Sequence, residues 1–320
     1  MKKPALLLSL LFPATALLPA CGGDNGGVDR ARLSLFGSLP AHMTHPDTGM
    51  PSDDLVELGE TLYHDKRLSA DDTVSCNSCH DLETGGVDGE RFSEGVDGQL
   101  GGRNSPTVFH AAGHFAQFWD GRAADVEEQA KGPILNPVEM AMPSAEAVVA
   151  KLKGIPEYVE GFAAAFPGES DPLTYDNLGR AIGAFERGLL KPGRWDDFLA
   201  GDDDALTDAE LAGLNTFLDS GCTACHVGPY FGGGMFQKLG LVKAWTDLAD
   251  EGRKEATGKE SDLHYFKVPS LRLITQTAPY LHDGSIADLS EIVRRMALHQ
   301  TGAELDPSQV QSLVAFLATL

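Results

Sequence analysis

Cysteine is scarce in this 320-residue chain: there are five. That is too few for the disulfide-dense scaffolds on which small secreted domains depend. Basic residues are also short, 25 Lys and Arg against 47 Asp and Glu, for a formal net charge of −22. Such a surface repels nucleic acid and argues against a nucleic-acid partner, while aiding solubility and favouring basic partners at the encounter stage. Alternating apolar and polar runs long enough for a real sheet are missing. The apolar stretch from Ala5 to Leu18 falls short of the ~20 residues that cross a bilayer comfortably.

That stretch reads instead as a targeting segment. Lys2 and Lys3 precede it, and Leu18-Pro19-Ala20-Cys21 follows with the look of a bacterial lipobox. Residues 1–20 are therefore expected to be a signal peptide and Cys21 the lipidated anchor. Gly22 after it points to a periplasmic protein tethered to the outer membrane through that anchor alone. Residues 21–51 carry Gly-Gly twice and Pro40, Pro46 and Pro51, which reads as a tether.

Beyond Pro51 the signals are helical. Leu55, Leu58 and Leu62 recur at helix spacing behind Ser52 and Asp53. Ser144 to Phe166 reads as helix with a break near Pro156, and Tyr175 to Leu190 as another. Thr207-Asp208-Ala209-Glu210 is a capping box, and Asp306-Pro307-Ser308-Gln309 repeats it near the end of the chain. The expected class is mainly α.

The remaining cysteines form two pairs, each in Cys-x-x-Cys-His: Cys76, Cys79, His80 and Cys222, Cys225, His226. An amphipathic helix leads into each, so the chain repeats one module. The division is expected at 52–195 and 196–320. On a helical turn, residues three apart share a face. Both thiols of a motif can then add to the two vinyl groups on one haem edge, and the next residue, His, falls under the iron. Disulfide loops and a zinc site are the rival readings. Zinc is disfavoured because 143 positions separate the two pairs. The second axial ligand decides what a haem does. Met235 and Met296 are candidates, with Met140 and Met142 further off.

Here the chain resembles the bacterial dihaem cytochrome c peroxidases, a group that also takes in the methylamine-dehydrogenase maturation enzymes. The marks run in order from the first motif through Gly102-Arg103-Asn104-Ser105-Pro106-Thr107 and Gln117-Phe118-Trp119-Asp120-Gly121-Arg122. They continue through Glu127-Glu128-Gln129-Ala130, Val138-Glu139-Met140 and Ala184-Phe185-Glu186 to the second motif. Thr277-Ala278-Pro279-Tyr280 with His282, and Val314-Ala315-Phe316-Leu317, complete them.

The resemblance implies two cytochrome-c-like haem domains and two covalently bound haem c. It implies a low-potential peroxidatic haem on His80 and a high-potential entry haem on His226, with Met296 as the latter's distal ligand. It places Trp119 between the haems, Glu139 and Gln129 in the peroxide pocket, and a calcium ion on Asn104 with the backbone oxygens of Thr277 and Pro279. It implies hydrogen peroxide as substrate, a small donor protein (a cytochrome c or a copper protein) and a homodimer. The residues agree with part of this. Cleaving peroxide needs a proton moved from one oxygen to the other, which a carboxylate can do. Pro137, Val138 and Met140 give Glu139 an apolar setting that raises a carboxyl pKa.

Two alternatives stay open: a dihaem electron-transfer cytochrome, and a maturation-type oxidase of protein side chains, where the family uses a tyrosine at the place of Met296. One departure stands out. Where well-studied members carry a distal His, this chain has Val96, which cannot ligate iron. The first haem is therefore expected to rest open or water-bound, unless His110 or His114 substitutes.

Overall fold

A computed structural model describes residues 27–246 and 248–320. The expected signal peptide and the anchor Cys21 lie outside the described residues. Among those described are eleven α-helices and two three-residue strands. The first half holds α1 (Asp53–His64), α2 (Cys76–Cys79), α3 (Val126–Leu135), α4 (Ala145–Lys153), α5 (Pro156–Ala165) and α6 (Tyr175–Glu186). The second holds α7 (Arg194–Ala200), α8 (Asp208–Asp219), β1 (Phe236–Lys238), α9 (Arg253–Thr257), β2 (Tyr265–Lys267), α10 (Leu289–Met296) and α11 (Pro307–Leu317). β1 and β2 pair antiparallel, with Gln237 opposite Phe266.

The helix starts follow from local chemistry. Ser52 Oγ accepts from the Leu55 amide, Ser144 Oγ from Ala147 and Thr174 Oγ1 from Asn177, each satisfying a backbone donor that the first turn leaves free. Both expected capping boxes form, Thr207 with Glu210 and Asp306 with Gln309. The expected break at Pro156 separates α4 from α5.

Each half is built on one close helix crossing. α1 meets α6 at Gly59, where a Cβ would lie 1.9 Å from the Ala181 carbonyl oxygen. α8 meets α11 at Gly213, where a Cβ would lie 1.9 Å from the Ser312 carbonyl oxygen. Only glycine permits such backbone contact. Around the first crossing pack Leu58, Leu62, Tyr63, Ile134, Ile182 and Phe185, and around the second Leu214, Phe217, Phe231, Phe316 and Leu317.

Two expectations need correction. Residues 27–51 are not a free tether. Arg30–Leu35 forms a 3-10 helix, Leu33 and Phe36 are buried in the second core, and Phe36 stacks on Phe231 at 4.5 Å. Further on, Met43 is buried and Arg187 donates to the Thr44 carbonyl at 3.1 Å, so the segment runs as a strap over both halves. A single turn bearing Leu33 and Phe36 is too short to show periodicity. Trp195, expected to close the first domain, is fully buried in the second core, and its amide donates to the Thr319 carbonyl. The change of core falls before α7.

Candidate active site

The two Cys-x-x-Cys-His segments fold alike. Cys76–Cys79 is one α-turn and Cys222–Ala224 one 3-10 turn. The amide of His80 bonds the Cys76 carbonyl, and that of His226 bonds the Cys222 carbonyl, both at 3.0 Å. All four thiols are free. Burial pushes Cys76 up to about 12, and Cys79 and Cys222 each up to about 11.

The histidines differ. His226 holds its Nδ1 2.8 Å from the Phe231 carbonyl oxygen. That oxygen only accepts, so Nδ1 carries the proton and Nε2 keeps a lone pair for a metal. His80 Nδ1 finds no partner among the described residues. Burial lowers the His80 pKa, opposed by the Asp88 carboxylate and the backbone of Gly86 and Pro106. The Tyr63 hydroxyl donates to the His80 carbonyl at 2.6 Å.

Glu139 follows α3 on a tight turn. Its amide donates to the Asn136 carbonyl at 3.0 Å, and its own carbonyl accepts from Val96 at 2.8 Å. Burial raises its carboxyl pKa, against Arg122 and the Asn136 amide. The Glu139 carboxylate acts electrostatically on the Cys79 thiol and raises its pKa, as Asp88 does. Gln129 stands half-buried on α3, its amide bonded to the Asp125 carbonyl.

Val96 is buried in the first core. A Cβ at Gly95 would lie 2.3 Å from the Val138 carbonyl oxygen, so this turn is pressed onto the Glu139 backbone. His110 and His114, the possible substitutes, are engaged elsewhere, with Lys191 and Lys267.

In the second half Met296 ends α10, half-buried against the cluster of Tyr280, Ile286 and Ile292. Met235 is exposed, while Met140 and Met142 fill the first core. At the seam between halves, Trp119 Nε1 donates to the Asn104 carbonyl at 2.9 Å, and the Trp119 carbonyl accepts from the Lys267 amide at 2.7 Å. Asn104 Nδ2 donates to the Glu90 carbonyl, and the Asn104 amide donates to the His282 carbonyl at 2.8 Å, which ties Asn104 to the loop carrying Thr277 and Pro279.

A family model described as di-haem cytochrome c peroxidase matches residues 53–204. The cytochrome c551 peroxidase of Pseudomonas aeruginosa is 43% identical over 90% of this chain and 84% of its own. That of Nitrosomonas europaea is 46% identical over 83% of this chain and 80% of its own. The chain belongs to the di-haem cytochrome c peroxidase family. Among solved structures, a MauG-like protein associated with microbial copper homeostasis superposes with a TM-score of 0.76 at 29% identity, covering 88% of this chain and 93% of that one.

The family takes two haem c. Each half of this member offers two half-buried free thiols and one imidazole on a single turn, the donor set such a group requires. Three features of the site escaped sequence reasoning. Glu186, inside a quoted family mark, is buried, and burial pushes its pKa up to about 8, with Glu127 adding to the rise and Arg187 opposing it. Arg103 joins the halves through Asp120, Asp250 and Glu255, each at 2.6–2.7 Å. Lys267 is buried at the seam with no carboxylate in salt-bridge contact among the described residues. No local pattern marks a residue whose partner lies 150 positions away.

Proposed function

We propose that this protein is a periplasmic peroxidase that converts hydrogen peroxide to water with electrons from a small donor protein, a cytochrome c or a copper protein. Glu139 carries the reading: a carboxyl drawn off solvent, with a raised pKa, that acts electrostatically on a thiol of the first Cys-x-x-Cys-His. When bound, the haems supply the electrons and the iron at which the O–O bond breaks. Glu139 takes a proton from one peroxide oxygen and returns it to the other, and with two electrons and two protons both oxygens leave as water. Burial raises its pKa and so favours the protonated form that the transfer passes through. Gln129 offers an amide that both donates and accepts, suited to orienting peroxide.

His80 would hold the first haem, where peroxide would bind, and Val96 has no atom that could ligate its iron. Cys76, Cys79, Cys222 and Cys225 would form the thioethers, and His226 and Met296 would hold the entry haem. Trp119, bonded to both halves, lies on the electron route. Asn104, with the Thr277 and Pro279 carbonyls, suits a calcium ion, which prefers neutral and carbonyl oxygens completed by water. Cys21 anchors the chain to the outer membrane, and two copies form a homodimer. The deciding experiment assays the purified holoprotein with hydrogen peroxide and reduced cytochrome c. Stoichiometric donor oxidation that disappears in Glu139→Gln supports the reading; turnover within a few-fold of the parent overturns the role of Glu139.

A further inference from the structure

Lys267 is a cation where a cation is costly. It is 7% exposed on β2, and a buried ammonium without an anion is strongly disfavoured. Its Nζ lies 3.3 Å from His114 Nδ1. An ammonium only donates, so Nδ1 of that ring accepts and the ring proton sits on Nε2. Nε2 is buried and has no partner among the described residues. His110 is fixed in the same way. Its Nε2 accepts from the Lys191 amide at 3.1 Å, so Nδ1 carries the proton, and Nδ1 is buried without a partner among the described residues. The Tyr230 ring lies 6.2 Å from His110 and 5.9 Å from His114.

Among the described residues these two ring donors have no acceptor. The carboxylate that acts on Lys267 is Asp120, and its oxygens are already committed to Arg103 and Arg122. The cradle is built closely. A Cβ at Gly233 would lie 2.2 Å from the His114 ring, and one at Gly113 would lie 2.1 Å from the Tyr230 ring. Burial drives Lys267 down to about 8 and both histidines below their usual range, a pull that Asp120 opposes at Lys267 and Asp196 at His110 without cancelling it.

We propose that Lys267 Nζ and His114 Nε2–H form the binding site for a carboxylate of the haem attached at Cys222 and Cys225, which rests on the haem attachment inferred above. The placement follows from the segment after His226. Phe231 accepts from His226 Nδ1, Gly233 two residues on walls the His114 ring, and the Gly233 amide bonds the Val268 carbonyl beside Lys267 at 2.8 Å. The short stretch from His226 to Gly233 thus carries the axial imidazole at one end and packs against both anchor residues at the other. An ammonium at that carboxylate favours the reduced, less positive haem and raises its potential.

The test uses the holoprotein. A pyridine haemochrome count comes first: fewer than two haems per chain defeats the attachment reading and leaves this one apart. Each haem potential is then measured by spectroelectrochemistry in the parent, Lys267→Met and Lys267→Arg, with resonance Raman of the haem carboxylate bending bands. Lys267→Met is expected to lower the potential of the second haem alone and to shift one bending band. Lys267→Arg restores most of both, and added chloride or phosphate changes neither. Unchanged potentials and bands in a folded Lys267→Met overturn the proposal, as does a shift confined to the first haem. A parent potential that follows added chloride or phosphate also overturns it, since the site is then one for a free anion. Should Lys267→Met not fold, His114→Asn is judged by the same bands and potentials.

Discussion

The two halves cross their helices in the same way, and the residues at equivalent places show what each half is for. Gly59 and Gly213 make the contacts, and Phe185 and Phe316 close over them from the facing helices. One turn past each glycine the first half has Tyr63 and the second Phe217, both fully buried. One residue past each phenylalanine the first has Glu186 and the second Leu317. The Tyr63 hydroxyl bonds the carbonyl of His80, and Glu186 acts electrostatically on Cys76, so the first half keeps protonatable groups around its motif. The second fills those places with Phe and Leu and instead fixes its histidine to the Phe231 carbonyl. Moving protons requires the former environment; passing electrons with little rearrangement is served by the latter.

The sharpest break of this asymmetry is Glu139→Gln, which keeps the shape of the side chain and removes its transferable proton. Peroxide turnover is expected to fall by roughly 10²–10⁴. Both haems should still attach, and the second should still accept electrons from a donor at the parent rate, as stopped-flow reduction would show.

Glu186→Leu turns the first half into a copy of the second. In the parent, the folded chain holds the Glu186 proton up to about pH 8, while the unfolded chain releases it near 4.5. The stability it contributes is therefore whole below 4.5 and is lost as pH rises through about 8. The leucine variant has no such loss. Urea unfolding across that window should show the variant gaining on the parent by on the order of a few kcal/mol. Parallel pH profiles would mean that Glu186 is not protonated in the folded chain.

Alanine at Gly59 or Gly213 tests whether the two crossings are equally tight. In an isolated helix Gly→Ala stabilises by about 1 kcal/mol. Here the added Cβ meets a backbone oxygen, so each change should destabilise by about 1–3 kcal/mol. The loss should appear first in the altered half, read by amide hydrogen exchange of α1 and α6 against α8 and α11. Stabilisation by either alanine would show that the crossing gives way.

Much of this was legible beforehand. Ser52, Thr207 and Asp306 announce their helices because a cap is made within three residues of itself, and each Cys-x-x-Cys-His is closed within five. The strap was not legible, because Leu33 and Phe36 owe their burial to Phe231 and Trp195 far along the chain. Nor was the Lys267–His114 contact, made across the seam. Nor was the equivalence of Glu186 with Leu317, which rests on the matching of two helix crossings far apart in the chain.

The smallest expected effect requires no mutation and concerns the turn of the first half that carries Val96. Val96 is buried, its amide is bonded to the Glu139 carbonyl, and Gly95 lies against the Val138 and Glu139 backbone. The turn thus cannot bring a ligand to the iron, since valine has none to offer and its backbone is held by the very residue proposed to move the proton. His110 and His114 are engaged at the seam. Electron paramagnetic resonance of the fully oxidised protein should then show one high-spin haem, the first, beside one low-spin haem. Turnover should begin without a lag, and brief reduction of the second haem beforehand should leave the initial rate unchanged. Two low-spin signals with a lag that reductant abolishes would place another side chain on the first iron. In Val96→His an imidazole is introduced at this turn, and conversion of the high-spin signal to low-spin would place residue 96 within reach of that iron.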